Sequence, residues 1–179
     1  MTRVRHFLQD ESGTGPIEFV FVFPVIFLVF TASFESSMFM ARYVMFERAV
    51  DQVVRQLRLR ILTNVTNSDL KREICESGMM IGSVENCIKD MRIWMQPVNT
   101  GNFAMVAPPK HCTDRNQQLN LVEEQSAVAT GTDNDIMLLR ICLKEEPMFP
   151  TTLVSMNMAS EPDGTYALIV TSTFVNEPG

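Results

Sequence analysis

Between Phe19 and Phe34 the chain reads FVFVFPVIFLVFTASF, without a single charged side chain. With Ile17 and Glu18 the stretch is about 18 residues, or about 27 Å of helix at ~1.5 Å per residue, close to the ~30 Å hydrocarbon core of a bilayer. It divides the 179-residue chain into a short polar head, one membrane-length segment and a larger polar remainder.

The helical pattern does not stop at the edge of that segment. Val50, Val53, Val54, Leu57 and Ile61 recur at the spacing of one helix face, while Glu47, Asp51, Arg55 and Arg58 fall on the other. No Gly or Pro interrupts the chain between Val25 and Asn64. The expectation is one long helix, apolar all round over 14–36 and amphipathic over 37–64, whose second half packs against something outside the membrane.

Residues 65–91 read as short helices. Asn67 or Ser68 is the expected cap before DLKREIC, Gly78 the stop, and Ser83 the cap of VENCIKDM. RIWMQPV (92–98), IMLLRICL (136–143) and TYALIVTSTFV (165–175) have strand character, the last set up by the turn PDG. Residues 99–134 carry the turn signals TGN, APP, DRNQQ and TGTDN, too long a stretch to be loop alone. The fold class is therefore α+β: a long N-terminal helix, then a domain over 65–179 of short helices and an antiparallel sheet of three or four strands.

Four cysteines, Cys75, Cys87, Cys112 and Cys142, all lie beyond the apolar segment. An even number on one side of a membrane suits disulfides in an oxidising compartment. Three pairings are open, and proximity along the chain favours Cys75–Cys87 with Cys112–Cys142. The alternative is four buried thiols. The net charge is -6, and Lys and Arg form no basic block with interleaved aromatics, so no nucleic-acid footprint is read. His111 neighbours Cys112, but no C-x2-C pair is present, so no metal is expected. The DND at 133–135 lacks the Gly and Glu of a calcium loop and reads as a turn. With no catalytic constellation and no cofactor motif, an enzyme is not expected.

The puzzle is Glu18, a carboxylate at the start of the apolar run. Arg3 and Arg5 in the head favour a cytoplasmic N-terminus with the large remainder outside. Three readings of the N-terminus follow. One is a secretory signal with Thr31-Ala32-Ser33 as its small-residue cleavage site. Another is an uncleaved anchor; either would leave a tethered or secreted periplasmic binding domain. The third is a leader, residues 1–13, removed by a peptidase that cuts after the unhindered Gly13. Thr14 then becomes the first residue. Glu18 lies one helical turn from the new α-amino group, which offsets the cost of a carboxylate at the membrane.

Gly, four residues, Glu-Phe and an apolar helix form the type IV prepilin processing pattern. The stretch FLQDESGTGPIEFVFVFPVIFLVF, then FES with Glu35, Arg42 and AVDQVVRQLR, resembles the TadE-like minor pseudopilins of the tight-adherence (Tad/Flp) pilus system. Pro24 and Glu35 fall in the family's places, and the closing TSTFVNEPG is similar to the end of many such proteins. The sequence departs at TGPI after the cut, where small alanines are usual. The resemblance implies a protein of the bacterial inner membrane, processed by a prepilin peptidase. Its partners would be other pilins or pseudopilins and the pilus assembly machinery, with no reaction centre. Phe19 follows the processing Glu in that pattern. Pro24 would bend the helix, free a carbonyl, or simply be tolerated. Glu35 would mark the outer interface, pair with another subunit, or face headgroups.

Overall fold

The computed structural model describes residues 14–62, 65–78, 83–102, 104–109, 112, 127–158, 161 and 163–178. Its first element, α1 (Thr14–Arg58), is one helix of 45 residues, about 68 Å at ~1.5 Å per residue. Among the described residues it is the one helix long and apolar enough to cross a membrane. Every apolar side chain from Ile17 to Phe30 is open, from 46% exposure at Val22 to 74% at Phe21. Protein contact begins at Thr31. From there the buried positions are Thr31, Glu35, Arg42, Phe46, Ala49, Val50, Val53 and Leu57, a single stripe at helical spacing. Where the apolar half meets the stripe, the hydroxyls of Thr31, Ser33, Ser36 and Ser37 donate to carbonyls one turn back, at Phe27, Val29, Ala32 and Ser33. That satisfies them without water.

The helix closes at Arg58 rather than running to Asn64. Arg60 takes a left-handed φ of 55°. Its N–H donates to Leu57 O at 3.1 Å, and that of Ile61 donates to Gln56 O at 3.0 Å. This is a Schellman closure with arginine where glycine is usual. No breaker in the sequence announces it, so the periodicity carried the expectation to Ile61, which is in fact exposed. The strained arginine is held by an ion pair to Asp133, and the last turn by Arg58 to Glu177 at 3.0 Å.

Two short helices follow, α2 (Asn67–Ser77) and α3 (Val84–Asp90). The cap of α2 is Thr66, one residue before the expected Asn67 and two before Ser68. Its hydroxyl accepts from Asp69 N, and the Asp69 carboxylate accepts from Thr66 N, a reciprocal capping box. Ser83 caps α3 by accepting from Asn86 N. A Cys75–Cys87 disulfide ties the two helices together.

The sheet is a three-stranded antiparallel meander of β1 (Met91–Pro97), β2 (Ile136–Glu145) and β3 (Tyr166–Val175). Register is set by alternation: Ile93, Ile141 and Val170 stand side by side, as do Met91, Leu143 and Leu168. Their side chains face α1 and form one core with Phe46, Val50, Val53, Leu70 and Ile74. The second half of α1 thus belongs to the same core as the sheet. Part of the long 99–134 connection is ordered against the β1 edge. Met95 N donates to Ala127 O at 2.8 Å and Ala129 N to Met95 O at 2.9 Å, one parallel rung rather than a fourth strand. The DND segment is a turn, with Asn134 at a positive φ of 64°.

The opposite face of the sheet is also covered in part. Cys142 is bonded to Cys112. Lys144, 4% exposed at its side chain, lies 2.9 Å from Asp163 and 3.6 Å from Glu161. Burial works against the Asp163 charge, yet hydrogen bonds from Thr165 and Lys144 hold its pKa at about 2. Between β2 and β3 the chain makes α4 (Leu153–Met158), which packs on α1.

Candidate functional site

A buried polar cluster joins the membrane-length half of α1 to the sheet. Glu35 and Arg42 lie seven residues apart, so they share the buried stripe of α1 two turns from each other. Glu35 is fully buried. Its carboxylate accepts from the backbone N–H of Met148 at 3.1 Å and of Phe149 at 3.0 Å, and from the Tyr166 hydroxyl at 3.3 Å. Three donors on one carboxylate offset the desolvation of a buried charge.

Arg42 completes the cluster by tying α1 to one end of the sheet. Its Nη1 donates to the Glu145 carboxylate at 3.2 Å, to Glu146 O at 3.1 Å and to the Tyr166 hydroxyl at 3.2 Å. The register makes this possible, because Glu145 and Tyr166 are cross-strand partners at the last rung of β2 and the first of β3. Tyr166 is the shared member: it accepts from Arg42 and donates to Glu35. Burial pushes its phenol up to about 12; Arg42 pulls the other way and Glu35 adds to the rise. Apolar contacts flank the cluster, with Phe34 edge-on to Phe149 and Phe39 edge-on to Tyr166 at ring separations of 6.1 and 5.1 Å.

The other residues singled out from the sequence are distributed along the same helix. Gly13 lies outside the described residues, as does His111. Thr14 is the first residue of α1 and Glu18 is exposed one turn further on. Phe19 is exposed and stacks on Phe23 at 5.2 Å, which stacks on Phe27 at 6.0 Å, a ladder of rings along one side. Pro24 lies within the helix; lacking an N–H, it leaves the Val20 carbonyl without its intrahelical donor. Glu35 is not turned out toward headgroups: within the chain its carboxylate is buried against its own domain. The cysteines form two disulfides, Cys75–Cys87 and Cys112–Cys142.

Sequence reasoning passed over Tyr166, Glu145 and the 146–149 backbone, because their roles arise only from strand register and loop path. The Glu35–Arg42 spacing of seven was the available signal. A Glu and an Arg two helical turns apart, in line with Phe46, Ala49, Val53 and Leu57, extend the apolar stripe upward as a polar one.

The family model described as TadE-like protein matches residues 13–55. From Thr14 on, the matched stretch is α1 without its last turn, and it contains Glu18, Pro24, Glu35 and Arg42, while the sheet lies outside it. The chain finds no significant match among curated proteins or solved structures.

Proposed function

We propose, with the TadE-like segment at residues 13–55 as the premise, that this protein is a minor pseudopilin of a tight-adherence (Tad/Flp) type pilus. The chain sits once in the bacterial inner membrane, N-terminus in the cytoplasm and sheet domain in the periplasm. A prepilin peptidase cuts after Gly13, and assembly proceeds through contacts with other pilins or pseudopilins. The role is structural and involves no reaction.

The observation that carries this reading is the first half of α1. From Ile17 to Phe30 it offers its whole circumference to the surroundings, with Glu18 one turn from Thr14 as its acidic residue. A soluble core helix would bury one face of that run, whereas a lipid- and subunit-facing helix buries none within its own chain. After cleavage the α-amino group of Thr14 and the Glu18 carboxylate stand at the (i, i+4) separation at which opposite charges meet on a helix.

The mass and N-terminal sequence of the mature protein test the proposal. A start at Thr14 is expected, and Gly13→Val is expected to accumulate the uncut chain while still inserting in the membrane. A start near Phe34 identifies an ordinary secretory signal, and an intact Met1 an uncleaved anchor; either result overturns the pseudopilin reading.

A further inference from the structure

The segment 147–160, PMFPTTLVSMNMAS, carries no charged side chain although it lies in the polar part of the chain. Its depth is set by Glu35. The backbone N–H groups of Met148 and Phe149 are bound to that carboxylate, and the Phe149 ring rests edge-on against Phe34. Glu35 is the first charged residue after Glu18, and the apolar span between them is about 16 residues, or about 24 Å of helix at ~1.5 Å per residue. A helix spanning from Glu18 therefore brings Glu35 to the far boundary of the hydrocarbon, and the 147–149 backbone is fixed at the same level.

Two further features point the same way. Met148 is 47% exposed and Met156, on α4, is 64% exposed, so the segment turns apolar side chains outward. Two of its hydroxyls are satisfied internally at the loop-to-helix junction. The Ser155 hydroxyl donates to Phe149 O at 2.7 Å and that of Thr152 to the same carbonyl at 3.0 Å. Met148 and Met156 outward beside the uncharged Thr151 and Asn157, hydroxyls closed inward on Phe149 O and a position level with the end of a membrane span together describe an interfacial foot.

We propose that residues 147–156 rest in the headgroup and upper acyl region of the membrane that α1 crosses, as a second point of contact beside the helix. The occupant of this surface is lipid, argued from its continuity with the exposed apolar surface of α1 through the Phe34–Phe149 contact. The proposal rests on the reading of α1 as a membrane-crossing helix.

The test uses the full chain in vesicles of phosphatidylcholine and phosphatidylglycerol, with lipids brominated either high on the acyl chain or near its end. Three single reporters are made: Met148→Trp, Met156→Trp and, as a control for the span, Val25→Trp. All three positions are exposed, so the fold tolerates the ring. The native Trp94, buried in the sheet, is the common baseline. The expected result is a blue-shifted emission for Met148→Trp and Met156→Trp that is quenched by high bromines more than by deep ones, with Val25→Trp quenched by deep bromines. If Val25→Trp is quenched by deep bromines while both foot reporters stay red-shifted and open to aqueous iodide, the foot is refuted and the span stands. If Val25→Trp itself escapes deep bromines, the span fails and the foot with it.

Discussion

Glu35 shows how one carboxylate can be costly and structural at once. Three donors meet it, two of them backbone N–H groups. Truncating Glu35 to alanine leaves those groups to be resatisfied, a change worth about 2–3 kcal/mol for hydrogen bonds to a charged group. Glu35→Ala is therefore expected to lower domain stability by that order in urea unfolding, and to speed hydrogen exchange at the Met148 and Phe149 amides. The exposed Glu18→Ala is expected to leave both unchanged. Tyr166 gives the cluster a pH dependence on the alkaline side. Its folded pKa of about 12 lies above the ordinary 10.0, so the fold favours the protonated phenol. That stabilisation is complete below pH 10 and is lost as the pH climbs to about 12. Tyr166→Phe cannot titrate, so the stability gap between wild type and Tyr166→Phe is expected to close across that window in alkaline unfolding curves.

At the scale of elements, much was legible because periodicity is local. The sequence places the long helix by its 3.6-residue repeat, the two short helices by their cap and stop signals, and the three strands by their β-rich composition and the PDG turn. The misses have physical causes of another kind. The end of α1 turns on Arg60 adopting a glycine's conformation, paid for by tertiary ion pairs that no local window contains. The rung at Val128 is a single residue long and leaves no alternation to read. The polar cluster depends on β2–β3 register, which exists only once the sheet is formed. The α2–α3 pair is the element most dependent on a covalent link, since α3 has only 7 residues and buries little besides Cys87. Joint replacement of Cys75 and Cys87 by alanine is expected to cost about 3 kcal/mol, the chain-entropy value for a loop of this size, measured as a shift of the urea midpoint.

For the whole molecule, the boundary that matters is not the one between helix and domain. Phe46, Ala49, Val50, Val53 and Leu57 of α1 are part of the sheet's own core. A fragment covering 37–179 is therefore expected to fold in solution, with dispersed amide resonances and cooperative melting. One covering 65–179 leaves the inner sheet face bare and is expected to aggregate or remain unfolded. The TadE-like match and the core both run across this region, so the stretch 36–55 serves the membrane-side helix and the sheet at the same time.

That sharing has a mechanical side. The buried stripe runs from Thr31 to Leu57 along an unbroken helix, with Glu35 and Arg42 gripping one end of the sheet and Phe46 to Leu57 its inner face. No swivel lies between the two halves. A tug on the apolar half of α1 is carried as shear through the carboxylate and guanidinium before it reaches the hydrophobic contacts. The domain then travels with its helix as a rigid lever.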